Sequence, residues 1–469
     1  MFSSIGITKG ADKSMASNAG SGGGGNGIGA GSGSISAGIE GAQTSSSPTP
    51  VTSILAAATR GDLATVTKFL DRAVNVNTRN EKGETALYLA SANGHLNVVN
   101  KLVEAHADMT LTNTEANRAR GGQTPLFVAA RHGHTEVVKA LVEAGAEVDA
   151  LKVGGRVTAL FIASQQGHEK IVRLLLNHKA NANIKSNTST TPLCIAAWHG
   201  RTEAVRTLLQ HGADPTITRM DTISPLYLST SKGHLETVKV LLENPATQAT
   251  INLINSENFQ PIDIACSCGY TEIAEVLLEA KATVNRKLNG GVNSAGVAAS
   301  TGCLPLIKLL LRYKAKLFDN NFVNPLLVAC SHGRLEVAEF LVKQKADVNQ
   351  MSSEPHEKSP LSLSVTFGYL DVAQMLVKAK ASVNQVHDVN ALNRRALVKC
   401  SGRYTALEIA SGGASERFHE FVQFLLEQKA DITAGENGPL NIACEAGDEA
   451  IVKVRCYDVN GAMWHSRPH

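Results

Sequence analysis

Four histidines that each follow a glycine are the first candidates for chemistry, because imidazole binds metals and transfers protons near neutral pH. They are His95, His134, His168 and His234. If each belongs to its own layer of packed helices, neighbouring imidazoles lie about 8–10 Å apart. A metal ion with ligand bonds of about 2 Å cannot bridge that gap. The spacing therefore favours a structural role for these histidines.

The Cys266-x-Cys268 pair is the second candidate, as a redox or zinc motif. Such a motif needs a further cysteine pair at suitable spacing, and the sequence has none. Cys266 instead occupies the same place in its segment as Cys330 and Cys444, where other segments carry alanine. We therefore expect small, buried side chains at these three positions, and an exposed side chain at Cys268.

No recognised motif organises the remaining serine, histidine and aspartate residues. The sequence contains no nucleophile triad, no metalloprotease motif and no kinase signature. The glycine run at residues 22–25 is not followed by the Gly-Lys-Ser/Thr of a phosphate-binding loop. The sequence therefore predicts a non-catalytic protein that needs no cofactor and no metal.

Charge and hydropathy narrow the class of partner. The chain has 45 Lys and Arg against 42 Asp and Glu, a balance too even to indicate nucleic acid or a membrane surface. No apolar stretch approaches the roughly 18 residues of a transmembrane helix, and the first residues do not resemble a secretory signal. We expect protein or peptide partners, no membrane insertion, and a cytoplasmic location, with the nucleus also possible. The oligomeric state stays open.

The elements that position these residues form a repeating array. Residues 1–50 are rich in Gly, Ser and Ala and are predicted to be a disordered tail. After that, a glycine that closes a short apolar helix recurs with a period of about 33 residues, and a second apolar helix follows it each time. Aromatic residues make up only 4% of the chain, which favours thin layers of closely packed helices.

The internal pattern of the repeat identifies it. Residues 124–130 read Thr-Pro-Leu-Phe-Val-Ala-Ala, and Arg131, His132 and Gly133 follow before the next helix. Residues 191–197 and 224–228 are similar. Thr can cap the first helix, Pro suits its first position, and Gly can end it in a left-handed conformation. The pattern resembles the ankyrin repeat over residues 51–453, which implies an all-α ankyrin solenoid of about twelve repeats.

Several repeats depart from the family pattern. The eighth carries Asn293 to Gly296 in place of Thr-Pro-Leu-His, and the eleventh follows an insertion of about a dozen residues between Asp388 and Gly402. These two repeats are predicted to be the weak points of the array. The twelfth begins normally but breaks off, and residues 454–469 are predicted to be an irregular tail.

Two polar positions bear on how the repeats are joined. The family's histidine after Thr-Pro-Leu is absent throughout, which predicts fewer polar contacts between repeats and a less stiff array. An asparagine closes several repeats, and we interpret it as a turn residue that tolerates unusual backbone angles, although it also resembles the position at which ankyrin proteins are hydroxylated. These asparagines are Asn77, Asn183, Asn285, Asn349 and Asn384.

The resemblance implies that partners bind the concave face, through hairpin tips and the two residues before the inter-helix glycine. From Ala92 to Phe367 those two residues are never acidic, which predicts a neutral or acidic partner. Trp198 is expected to be an exposed hot spot. The candidate binding residues are Asn93, Arg131, His132, Gln165, Gln166, Trp198, His199, Lys232 and, at expected hairpin tips, Ile223 and Phe259.

Two functions fit this pattern. The first is a protein–protein interaction scaffold or adaptor. The alternative is a substrate-recognition or regulatory subunit of a ubiquitin-ligase or kinase system. The alternative normally needs an appended domain, and none is recognisable in residues 1–50 or after residue 453.

Overall fold

The computed structural model of the protein describes residues 53–114, 121–152, 154–319, 322–352, 358–388, 403–412 and 416–431, with positions 439 and 442. The predicted tails at 1–50 and 454–469 and nearly all of the twelfth repeat lie outside the described residues. The chain forms two compact units, with the boundary between Thr247 and Gln248.

The first unit contains six helix pairs among its described residues, one for each of the first six repeats. Their helices are α1 (Ile54–Arg60), α2 (Leu63–Asp71), α3 (Ala86–Ala92), α4 (Leu96–Glu104), α5 (Pro125–His132), α6 (Thr135–Glu143), α7 (Ala159–Gln166), α8 (Glu169–Asn177), α9 (Pro192–Trp198), α10 (Thr202–Gln210), α11 (Pro225–Ser231) and α12 (Leu235–Glu243). A 3₁₀ turn begins at Pro245 and continues to Thr250.

The second unit contributes five further pairs in the described part of the chain. Their helices are α13 (Pro261–Cys268), α14 (Thr271–Glu279), α15 (Ser294–Thr301), α16 (Leu304–Arg312), α17 (Pro325–Ser331), α18 (Leu335–Lys343), α19 (Pro360–Phe367), α20 (Leu370–Lys378), α21 (Ala406–Ser411) and α22 (Glu416–Glu427). A short 3₁₀ turn spans Asn289–Gly291. The two-residue strands β1 (His387–Asp388) and β2 (Arg403–Tyr404) pair antiparallel at the two ends of the predicted insertion.

The helix ends follow the capping chemistry predicted from the sequence. Thr124 Oγ1 accepts a hydrogen bond from Phe127 N at 3.2 Å, and Thr191 Oγ1 accepts one from Cys194 N at the same distance. Pro125 stands at the start of α5, where no donor is lost. Gly133 ends that helix at φ 83°, a left-handed angle that glycine adopts without the steric cost of a Cβ.

Within each unit the first helices of successive repeats pack side by side in one layer, and the second helices pack in another. The core between the layers is made of small aliphatic side chains, as expected: Ala129, Ala130, Val99 and Leu175 are completely buried. Alanine at the contact lets neighbouring helices approach closely. Leu174, which precedes the buried Leu175, is only partly buried.

The histidine after each inter-helix glycine reaches back to the preceding repeat. The ring lies over that repeat's glycine, and its Nε2 lies within hydrogen-bond distance of a backbone carbonyl two residues before that glycine. Because a carbonyl only accepts, Nε2 carries the proton. The pairs are His95 with Thr59 O (3.0 Å), His134 with Ala92 O (3.0 Å), His168 with Arg131 O (3.3 Å) and His234 with Trp198 O (3.1 Å).

In two of the repeats that lack the histidine, arginine performs the same task. Arg201 Nε donates to Gln165 O at 3.2 Å, and Arg334 Nε donates to Ser300 O at 2.9 Å. The described repeats are therefore joined by polar contacts even without the family's histidine, while the fewer contacts and the less stiff array expected from its absence stay predictions. The contacts are made by the residue after glycine, whereas the prediction considered only the position after Thr-Pro-Leu.

The repeat-closing asparagines make a second set of inter-repeat hydrogen bonds. Each Oδ1 accepts from a backbone N–H in the next repeat. The donors are Asp108 N to Asn77 (2.9 Å), Asp214 N to Asn183 (2.9 Å), Lys316 N to Asn285 (2.8 Å), Ser382 N to Asn349 (2.7 Å) and Asp431 N to Asn384 (2.8 Å). None of the five has a positive φ, so our interpretation in terms of unusual backbone angles is wrong. The side-chain oxygen is the acceptor, and the carboxylate of Asp149 plays the same part by accepting from Asn181 N at 3.1 Å.

The eighth repeat departs from the histidine pattern. Cys303 stands where most other repeats carry histidine, arginine or tyrosine, and its Sγ lies 3.5 Å from Thr271 Oγ1. No side chain covers the glycine of the preceding repeat: a Cβ added at Gly269 would meet nothing within 4 Å. The degenerate eighth repeat nevertheless forms its first helix, which Asn293 caps by accepting from Gly296 N at 3.1 Å.

We expect Cys303→His to stabilise the second unit by about 1 kcal/mol, because the ring can fill the space over Gly269 and bond the carbonyl of Ser267. Chemical denaturation of the full chain measures this. The control is Cys303→Ala, which removes the thiol without adding a donor and is expected to change the free energy of unfolding little. Equal effects of the two substitutions would show that the inter-repeat hydrogen bond contributes nothing here.

Candidate functional site

The candidate site is a stripe made of the two residues before the inter-helix glycine in repeats three to six. It consists of residues 131–132, 165–166, 198–199 and 231–232. The backbone carbonyls of Arg131, Gln165 and Trp198 are held by the following repeat. The backbone of the stripe is therefore held by the neighbouring repeats, while its side chains are partly or fully exposed.

Trp198 lies near the middle of the stripe and is partly buried, whereas we expected it to be exposed. The ammonium group of Lys232 lies 4.0 Å from the centroid of the indole ring. This cation–π contact covers one part of the ring and contributes about 0.5–1 kcal/mol at a partly exposed site. The apolar indole of Trp198 and the charged ammonium group of Lys232 thus form one amphipathic surface feature, the Trp198–Lys232 feature.

Arg131, Lys152 and the imidazole of His132 form a cluster of basic side chains at one end of the stripe. Arg131 and Lys152 are half-buried, and neither takes part in an ion pair within the described residues. Burial, followed by the charge of Arg131, lowers the pKa of Lys152. Burial, followed by Arg131, His134 and His168, lowers the pKa of His132. All of these neighbours are cationic or become so on protonation, so the cluster is electrostatically unfavourable on its own.

His199 lies in a similar environment at the centre of the stripe. Its Nε2 is 3.5 Å from Gln165 Nε2 of the preceding repeat. Burial lowers the pKa of His199, and the charges of Arg201, His234 and Lys232 lower it further. The charged groups that act on His199 are again all basic residues.

The remaining candidate residues differ in exposure and in the compact unit to which they belong. Gln166 and His132 are exposed, as predicted. Asn93 is also exposed, but its Nδ2 donates to Leu89 O of its own helix at 2.8 Å. Phe259 is partly buried and belongs to the second unit, apart from the stripe.

Ile223 is only 5% exposed, so the prediction that it joins the binding surface is wrong. Its carbonyl accepts from Arg219 N at 3.0 Å and closes the hairpin. Ile223 therefore starts the returning arm and points into the core. The tip lies earlier, at Met220, whose side chain is 76% exposed. The left-handed φ of 59° at Thr222 marks this turn.

Sequence reasoning missed the hairpin residues Leu151, Lys152, Arg156 and Met220. Leu151 and Met220 are exposed apolar side chains, and Arg156 is an exposed cation at a left-handed φ of 50°. A hairpin lies between the asparagine that closes one repeat and the Thr or Ser that caps the first helix of the next repeat, so the sequence does indicate where to look. Insertions change the length of this segment from repeat to repeat, and the residues at the hairpin tip therefore cannot be assigned by position alone.

The cysteines and histidines show no sign of metal chemistry in the described part of the chain. No group of three or more His, Cys, Asp or Glu side chains there could hold a metal ion. Cys266 and Cys330 are buried and Cys268 is exposed, as predicted; Cys444 lies outside the described residues. Burial raises the pKa of the Cys266 and Cys330 thiols. Within the same residues, no helix has the length and apolar character needed to cross a membrane.

The profile described as ankyrin repeats in three copies matches residues 53–152, 150–219, 218–287 and 295–387, which together make up more than half of the chain. The chain therefore belongs to the ankyrin repeat family, whose repeats are protein–protein interaction modules.

Two known proteins resemble parts of the chain. The mouse protein named "fem-1 homolog A-like" is 30% identical over 106 residues, a match that covers 22% of this chain and only 16% of that relative. The crystal structure of the human ASB11 ankyrin repeat domain is 24% identical, with a TM-score of 0.43, and the match covers 49% of this chain and 98% of that domain.

Proposed function

We propose that this protein is a non-catalytic scaffold or adaptor that binds partner proteins along the stripe of repeats three to six. The observation that carries the proposal is that the backbone and the side chains of the stripe have different roles. Its backbone carbonyls bond the next repeat, and its side chains take no part in the core. The large and charged side chains at these positions contact one another, as Lys232 does Trp198, but they keep exposed surface that is available for recognition.

The composition of the stripe agrees with a binding role. Trp and Arg dominate the energetics of protein interfaces, and the stripe places Trp198 and Arg131 on one row of helices within one compact unit. Trp198 is held by Lys232 and by the tied backbone of α9. This ordering reduces the entropy that a partner must offset when it binds.

We expect Trp198→Ala to reduce partner capture at least about tenfold, because truncation of a central tryptophan removes about 2 kcal/mol or more of binding energy. Affinity capture or proximity labelling with the full chain measures this against wild type. The matched control is Tyr313→Ala, a partly buried aromatic residue at the end of α16, in the layer of second helices.

Unchanged capture by Trp198→Ala, with folding intact by circular dichroism, would refute the proposed stripe. The alternative function is an outcome of the same experiment. Recovery of ubiquitin-ligase or kinase subunits that does not depend on Trp198 would favour a substrate-recognition or regulatory subunit that recruits its enzyme elsewhere.

A further inference from the structure

The hairpins beside the stripe extend its positive charge. Three hairpins of the first unit are closed by hydrogen bonds or bridges at residues 152–157, 186–190 and 219–223. Together with the stripe they carry five cations, which are Arg131, Lys152, Arg156, Arg219 and Lys232. They carry one carboxylate, Asp221, which already pairs with Arg219 at 3.4 Å. The whole chain is nearly neutral, so this excess is local.

The second helices are different in this respect. Several of their cations pair with carboxylates: Arg173 pairs with Glu169, Arg206 with Glu243 at 3.1 Å, and Lys239 with Glu236 at 2.7 Å. Arg131 and Lys152, by contrast, are half-buried and close enough to interact electrostatically, and no carboxylate among the described residues forms an ion pair with either of them. Two like charges held together at partial burial are unfavourable unless an anion joins them.

We propose that the occupant of this surface is an extended, acidic segment of a partner protein, whose carboxylates pair with Arg131 and Lys152. This inference rests on the proposed function and specifies the partner's chemistry. The segment runs along the stripe past His199 to the Trp198–Lys232 feature. Leu151 and Met220 are exposed apolar side chains at the hairpins, and they are available for contacts with apolar residues of the same segment.

The dimensions agree with a short peptide. The stripe crosses the four successive helices α5, α7, α9 and α11, and neighbouring helix axes lie about 8–10 Å apart. Its length is therefore about 27 Å, which an extended chain of about eight residues spans. The first fifty residues of this chain are an unsuitable occupant, because they carry only Asp12 and Glu40 against Lys9 and Lys13.

A displayed library of random twelve-residue peptides, selected against the full chain, tests the proposal. We expect the enriched peptides to be rich in Asp and Glu, and Arg131→Glu/Lys152→Glu to weaken their binding by about tenfold or more, since both attractions become repulsions. The matched control is Lys139→Glu/Lys170→Glu, which makes the same charge change on exposed positions of α6 and α8 and is expected to have little effect. If the double reversal unfolds the chain, Arg131→Gln/Lys152→Gln provides the comparison and is expected to weaken binding severalfold.

Three outcomes would overturn the acidic-segment proposal. The first is enrichment of peptides without acidic residues whose binding depends on Trp198 but not on Arg131 and Lys152; the proposed function would then stand alone. The second is tighter binding to a single-stranded oligonucleotide of equal charge than to the enriched peptides, because the basic surface would then recognise phosphate. The third is enrichment that neither Trp198→Ala nor the charge variants change, which would refute the proposed function as well.

Discussion

Gly200→Ala is expected to destabilise the first unit by about 3 kcal/mol, although it adds a single methyl group. Gly200 has a φ of 65°, where a side chain costs about 1–2 kcal/mol. An added Cβ would also lie 2.6 Å from His234 Nδ1, so the ring must move away. That movement breaks the hydrogen bond to Trp198 O and costs about another 1 kcal/mol. Chemical denaturation of the full chain measures the effect.

Gly269→Ala is the matched control, since Gly269 holds the equivalent place in the seventh repeat. Its φ of 74° imposes the same backbone strain, but an added Cβ meets nothing within 4 Å. We expect a loss of only about 1–2 kcal/mol. If the two variants lose equal stability, the histidine packing contributes nothing measurable and the inter-repeat contacts seen along the first unit have no energetic role.

Asp263→Ala is expected to destabilise the second unit by about 2–4 kcal/mol, because it leaves three donors without their acceptor. The carboxylate of Asp263 is completely buried. It accepts from Gln260 N at 3.1 Å, from Ser294 Oγ at 2.8 Å and from Arg286 at 3.2 Å. Ser294 belongs to the next repeat, so this group joins α13 to α15.

The Asp263→Asn variant distinguishes the contribution of the carboxylate charge to stability from that of its hydrogen bonds. Asparagine retains an acceptor for Ser294 or Gln260 and is expected to lose less stability than alanine. If both variants are as stable as wild type, the buried network does not hold the two repeats together.

The pH dependence of Asp263 has a definite sign. Burial raises the pKa of its carboxyl above the ordinary value of 3.8, and the bonds from Gln260 N, Ser294 and Arg286 offset part of that increase. The folded chain therefore binds a proton more tightly than the unfolded chain, so the contribution of Asp263 to stability falls as the pH rises through and above 3.8. We expect the difference in the free energy of unfolding between wild type and Asp263→Asn to fall over this range. A difference that grows with pH would show that the carboxylate is ionised more easily in the folded chain.

Asp263 stands where the family carries the histidine after Thr-Pro-Leu, and this position shows what could be predicted from the sequence and what could not. The absence of the family's histidine suggested that a contact between repeats had been lost, because the prediction did not consider that another polar residue could make the contact from the same position. The folded chain makes that contact with a carboxylate and a serine instead. At the inter-helix turn it makes another with His234 or, elsewhere, with Arg201.

The sequence by itself determined the repeat, the caps and the core, since these depend on local chemistry. Thr124 with Pro125 begins a helix, Gly133 ends it, and small apolar residues at helical spacing define the buried face. These signals recur about every 33 residues, and repetition makes them specific. The expected burial of Cys266 and Cys330 followed from the same pattern.

Only the tertiary structure decided which side chains meet and which face outward. Arg131 and Lys152 belong to different elements, and their proximity depends on how a hairpin folds back beside a helix. Ile223 points inward because the hairpin closes at its carbonyl. Which residue takes that place depends on the length of the hairpin, and an insertion of one residue changes it. The partial burial of Trp198 beneath Lys232 likewise depends on the stacking of two repeats. Packing between neighbours, which no single repeat encodes, therefore decides which of the residues that the repeat pattern leaves variable form the proposed binding surface.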